Sequence, residues 1–419
     1  MDQKLAKSYA DVLLQYGVNL QPEQLLLINA PVEAHEFVTV LVNAAYAHGA
    51  GDVQVDWQSG TVFAQRLQYA QEDSLLYTRP SQITKAQEYL AENRAIISLV
   101  SCDSPLFKEV PTTRINAFQQ AKNKVFQFYS QATMNSQVQW LVAAVATPTW
   151  AALLFPDETP VTALEKLWDS IFYVSRIQNE DALAAWQNHL DTLHRRRRLL
   201  DALRLDTLHY MSKNGTDFVI GLPDTHIWQG GNEKSGRAVP FAANIPTEEI
   251  FTAPDFRRMT GHVTGTRPLV VYNQTVEGLE LDFVDGKVVQ VEASKGKEAI
   301  EQLLASDEGA RFLGEVALVP KDSPIAQIPY SFYETLIDEN ASCHLALGAA
   351  YPTCITDGKT KTDDELTAAG LNRSMIHVDF MIGSSDLTIV GRTKDGREVE
   401  IFHDGNFSPD FALVLAALY

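Results

Sequence analysis

In the first half of the chain, apolar runs of strand length alternate with stretches whose apolar positions recur every three or four residues. Residues 23–30, EQLLLINA, are followed by the helix-like 33–49, EAHEFVTVLVNAAYAHG, and the strand-like 52–57, DVQVDW. Further on, 94–100, RAIISLV, precedes the helix-like 114–129, RINAFQQAKNKVFQFY. Strands separated by helices cannot pair as hairpins, so this alternation predicts a mostly parallel sheet. The longest uncharged apolar stretch, 140–155 or WLVAAVATPTWAALLF, is shorter than the ~20 residues a membrane span needs, and Pro148 interrupts it. It reads instead as a buried strand ending near Ala146, with Thr147 as helix cap and Pro148 at the first helical position. Two long helical patterns, 162–177 and 179–204, close this half.

Near Asp206 the pattern changes. Asn214-Gly215, Asp285-Gly286 and Asp395-Gly396 each sit between strand-like runs and predict tight hairpins. The expected fold is therefore α/β: an amino-terminal α/β domain with a mostly parallel sheet (1–205), followed by a β-rich α+β domain (206–419). A chain of 419 residues exceeds what one core usually serves, which agrees with two domains of about 200 residues each.

Composition narrows the partners. With 34 basic and 53 acidic residues the formal net charge is -19, which disfavours nucleic acid and anionic membrane, both bound by cationic surface. The run His194 to Arg198, HRRRR, spreads around a helix and reads as a solvated or interface face. Three cysteines without paired metal-ligand spacing fit a reducing compartment, and the amphipathic amino terminus lacks a signal-peptide pattern, so a cytoplasmic protein is expected. Phosphate-loop, dinucleotide-fingerprint, zincin-helix and nucleophile-elbow motifs are all missing from the sequence.

Metal-ligating residue types do occur in apolar settings of the second half. In 374–391, SMIHVDFMIGSSDLTIVG, strand alternation points His377 and Asp379 to one side and Ile376, Val378 and Phe380 to the other. Taken alone, such a pair is ordinary for a half-buried strand. Glu248 and Glu249 follow a proline turn in NIPTEEIFTAPD, Glu315 lies in the strand-like FLGEVALVP, and Glu339 and His344 stand five apart in IDENASCHLALGAAYP. Each glutamate by itself is more often a surface residue; the set together points to a metal site.

These motifs, in their order and approximate spacing, resemble the thermophilic aminopeptidase family, the aminopeptidase T and aminopeptidase S group of dinuclear metallopeptidases. The resemblance runs the full length of the chain. It implies metal ligation by Glu249, Glu315, Glu339, His344, His377 and Asp379, and a transition-state role for Tyr351. Spacing alone leaves either carboxylate of the Glu248-Glu249 doublet open, and the resemblance points to the second.

Three glutamates and one aspartate would balance two divalent ions, and mixed oxygen and imidazole ligation suits zinc, cobalt, manganese or magnesium. The activity implied is hydrolysis of the amino-terminal bond of a peptide with a free amino terminus, by a water bridging two ions that share Glu315. Glu248 would pass a proton to the departing amine and Tyr351 would donate to the developing oxyanion. Two other readings stay open at this point: a dinuclear amidohydrolase of another substrate class, and a non-catalytic peptide- or metal-binding protein. A homodimer is expected from the resemblance together with the apolar carboxy terminus, FALVLAALY.

Overall fold

The computed structural model describes residues 1–409 apart from Asn273, together with Phe411 and Leu413. The apolar carboxy terminus on which the dimer expectation partly rests thus lies outside the described residues, those two positions excepted. The chain forms two compact units, each built from more than one segment.

The first unit comprises 1–189, 232–246 and 330–336. Its sheet holds β1 (Leu25–Pro31), β2 (Asp52–Gln58), β3 (Ala95–Val100), β4 (Trp140–Ala144) and the two-residue β5 (Asn244–Ile245), all parallel, in the order β2-β1-β3-β4-β5. The helix His35–Ala47 covers the β1-to-β2 crossover, as the apolar periodicity of 33–49 requires. Thr147 caps the helix Pro148–Leu154, its hydroxyl accepting from Trp150 N at 3.4 Å, with Pro148 at the first helical position where no amide donor is needed. Among the described residues no helix is long and apolar enough to cross a membrane.

The second unit comprises 190–231, 247–329 and the described residues from 337 onward. Eight antiparallel strands form its larger sheet, and three of the hairpins within it turn at Asn214-Gly215, Asp285-Gly286 and Asp395-Gly396. Gly215, Gly286 and Gly396 all have positive φ, which explains why glycine stands at each of these turns. The smaller sheet contains the sequence candidates Glu315, His344, His377 and Asp379. It contains β6 (Ile250–Thr252), β7 (Leu313–Leu318), β8 (His344–Gly348) and β9 (His377–Met381), antiparallel in that order.

One face of the smaller sheet is apolar: Ile250, Val316, Leu318, Leu345, Leu347 and Phe380 join the main core of the unit. Period-two alternation then turns their neighbours to the opposite face. Register makes that face specific, because Glu315 pairs with Ala346 and Ala346 with Asp379, which sets two carboxylates in one row with a methyl group between them. The next row is Ala317, His344 and Met381. Small side chains at Ala317, Ala346 and Gly348 leave room above the sheet for the longer ones to converge.

Candidate metal centre

The acidic and imidazole side chains of this face meet in two clusters, Glu249 with Glu315 and His344, and Glu315 with His377 and Asp379, their ligand atoms lying within 4.8 Å of one another in each. Glu315 belongs to both. Its Oε1 is 3.5 Å from His344 Nε2 and its Oε2 is 3.7 Å from His377 Nε2, so its two oxygens address different imidazoles. His344 Nε2 is also 3.1 Å from Glu249 Oε2, and His377 Nε2 is 3.5 Å from Asp379 Oδ1.

Backbone carbonyls orient both rings. His344 Nδ1 donates to Ser342 O at 3.1 Å, and His377 Nδ1 donates to Ala349 O at 2.8 Å. A carbonyl can only accept, so each Nδ1 carries the proton and each Nε2 is directed at the carboxylates, as in metal-ligating histidines whose other nitrogen is fixed by a carbonyl. Gly314, beside the register shift at Leu313/Glu315, permits the close strand approach there; a Cβ on it would collide with the Ala349 carbonyl.

The electrostatics are those of acids crowded out of water. Burial pushes the Glu315 carboxyl up, offset in part by the His344 hydrogen bond, and burial pushes Glu339 far above the usual carboxylate range, with the Glu249 and Asp379 charges adding to it. Burial favours neutral imidazoles, but hydrogen bonds donated to the Glu249 and Glu315 carboxylates raise His344 well above its ordinary value. His377 is likewise raised to about 9, where the Asp379 hydrogen bond and charge outweigh burial. Asp379 alone moves down: burial opposes its charge, and the His377 hydrogen bond and charge prevail. Even so, that contact is long, at 3.5 Å from Asp379 Oδ1, and leaves this buried oxygen without a partner in good hydrogen-bond geometry. An acceptor left unsatisfied among acids, facing imidazole Nε2 atoms, suits a divalent cation better than any proton arrangement within the cluster. The donor set fits.

The remaining sequence candidates are placed as follows. Glu339 opens a short 3-10 turn and is half-buried; its charge couples to Glu249, Asp379, His344 and Glu315, but it enters neither cluster. Glu248 is 3% exposed and its amide donates to Asn340 Oδ1 at 2.7 Å, and it also stands outside both clusters. The Tyr351 ring lies 5.0 Å from the His377 ring and 6.1 Å from that of Phe251. Burial and then the surrounding carboxylates hold its phenol above the ordinary tyrosine range, so it stays a donor at neutral pH. Sequence reading passed over Asn340, which carries no periodic or motif signal, and Ala346, whose importance is only that it is small.

Comparison with known proteins gives a consistent outcome. The model of the thermophilic metalloprotease family M29 matches residues 1–407. Aminopeptidase PepS of Streptococcus thermophilus is 40% identical over 403 residues, 96% of this chain and 97% of that protein. Aminopeptidase T of Thermus aquaticus is 36% identical over 398 residues, covering 95% and 97%. The solved structure of wild-type AmpT from Thermus thermophilus superimposes with a TM-score of 0.90 at 34% identity, covering 97% of this chain and 99% of that one.

Proposed function

The chain belongs to the thermophilic metalloprotease family M29 and is a metal-dependent aminopeptidase, and we propose that two divalent ions, sharing Glu315, serve its reaction. The observation that carries the two-ion reading is the pair of clusters joined at Glu315, one carboxylate oxygen turned to each imidazole. Glu249 and His344 would hold one ion, His377 and Asp379 the other, and Glu339 completes the ligand set from the adjoining turn. Ions so held supply Lewis acidity toward the scissile carbonyl and lower the pKa of the attacking water.

The side chains do the rest. Tyr351, kept protonated and without a hydrogen-bond partner among the described residues, donates to the oxyanion that develops on the carbonyl. Glu248, buried beside the ligand glutamate, carries the proton to the departing amine. A homodimer, on the family resemblance, and a cytoplasmic location, on the cysteine usage, belong to the same reading.

A release assay with unblocked and amino-terminally acetylated peptides, before and after chelation, tests it. The expected result is loss of the amino-terminal residue from the unblocked peptide only, abolished by chelation and restored by added metal. Equal cleavage of the acetylated peptide would contradict an amino-terminal specificity.

A further inference from the structure

Strands β6 and β8 are each antiparallel to β7, so they run parallel to one another and begin at the same end of the smaller sheet, one on either side of β7. Glu249 stands one residue before β6, and the turn Glu339–Ala341 stands just before β8. With β7 between them, these two approaches share no strand ladder. Something other than sheet pairing has to set one against the other.

Asn340 spans the gap. Its side chain is fully buried, Oδ1 accepts from Glu248 N at 2.7 Å, and Nδ2 donates to Glu339 Oε1 at 3.4 Å. An asparagine carries an acceptor and a donor on one short planar group, and burying that group is tolerated because both ends find partners. The far side of the glutamate doublet is confined as well. Gln229 and Phe251 exchange backbone hydrogen bonds at 2.7 and 3.1 Å, and a Cβ on Gly230 would stand 2.6 Å from Glu249 O. The doublet is therefore held at the amide of its first residue and crowded at the carbonyl of its second. On that path Glu249 Oε2 comes to 3.1 Å from His344 Nε2, whereas Glu248, also buried, enters neither cluster.

We propose that Asn340 is a positioning residue that makes Glu249, and not Glu248, the partner of His344, by tying the Glu248 amide to the turn that carries Glu339. The inference rests on the two-ion reading and adds what assembles the Glu249–His344 half of the centre. Loss of the tie would weaken the ion on that half and spare the one at His377 and Asp379, which sit on β9 without any contact of this kind to the doublet.

Zinc titration of chelated protein by calorimetry, with thermal unfolding of the same samples, tests it. In the otherwise wild-type protein Glu249→Gln should weaken one of two zinc ions, while Glu248→Gln leaves both affinities nearly unchanged. Asn340→Leu matches asparagine in shape and removes both polar ends; it should weaken the same ion by about 10–100-fold and leave the other alone. In that background the difference between Glu248→Gln and Glu249→Gln should narrow, because the loop no longer dictates which carboxylate is presented. Asn340→Asp keeps an acceptor for the Glu248 amide and should restore most of the affinity. A residue that only packs would lower the unfolding temperature without separating the two ions. Equal loss of zinc in Glu248→Gln and Glu249→Gln, a comparison independent of whether Asn340→Leu folds, would overturn the assignment. So would intact affinities in folded Asn340→Leu, or equal losses in Asn340→Leu and Asn340→Asp. A wild type holding a single zinc ion would contradict the two-ion reading alone: weaker binding of that ion in Asn340→Leu would still support the positioning role, and unchanged binding would overturn it.

Discussion

In the proposed mechanism Tyr351 and His377 divide the work between them. Removing the Tyr351 hydroxyl leaves every ligand atom in place, so Tyr351→Phe should keep its metal and lose on the order of 10²-fold in kcat, the usual cost of one oxyanion donor. Steady-state kinetics beside metal analysis check this, and a wild-type kcat would make Tyr351 a packing residue of its apolar cluster. His377 governs pH dependence. In metal-free protein its pKa stands at about 9, so at neutral pH the ring is protonated and an ion must displace that proton. The raised carboxyls of Glu315 and Glu339 act with the same sign, since both must ionise to ligate. Metal affinity should therefore climb from acid through neutral pH and level off above about pH 9, with protons released on binding. Calorimetry in buffers of differing ionisation enthalpy measures that release, and a pH-independent affinity would contradict it. His377 and Asp379 were legible in the sequence because a strand's period of two assigns faces. Glu248 and Glu249 were not separable that way, because neither lies in a regular strand and the loop path decides which carboxylate joins His344.

At the scale of elements, the four-stranded sheet is two-sided, and its faces can be tested independently. Ala346 separates Glu315 from Asp379 in their cross-strand row, so Ala346→Leu should fill the space between them and abolish metal binding while the fold persists. Leu345, one residue earlier, faces the core; Leu345→Ala should cost about 2–5 kcal/mol of stability and spare metal binding in the folded fraction. Thermal unfolding followed by metal analysis of both variants distinguishes these outcomes, and metal binding retained by Ala346→Leu would refute the row geometry. The strands themselves were readable from alternation and from the Asn-Gly and Asp-Gly turns, and the helix at Pro148 from its cap. The two-residue β5 was not, since so short a strand has no periodicity and takes its place from pairing with β4. Nor was the order of strands, which register and long-range contacts decide. The segment Gln229–Gly231 gives no sequence signal either, yet Gln229 pairs with Phe251 and a Cβ on Gly230 would stand 2.6 Å from Glu249 O, so it fixes the approach to the ligand strand.

For the whole molecule, the account turns on how many ions one chain needs. On the proposed reading, a chain of net charge -19 that brings Glu249, Glu315, Glu339 and Asp379 near one another would need cations there, and two divalent ions would balance those four carboxylates. Titrating chelated protein with metal, while measuring bound ions and activity on the same samples, addresses this directly. Two ions per chain should bind, full activity should require both, and Glu315→Gln should lose tight binding of the pair together with activity at low metal. Full activity at one ion per chain, or two ions still held tightly by Glu315→Gln, would contradict the shared-carboxylate centre.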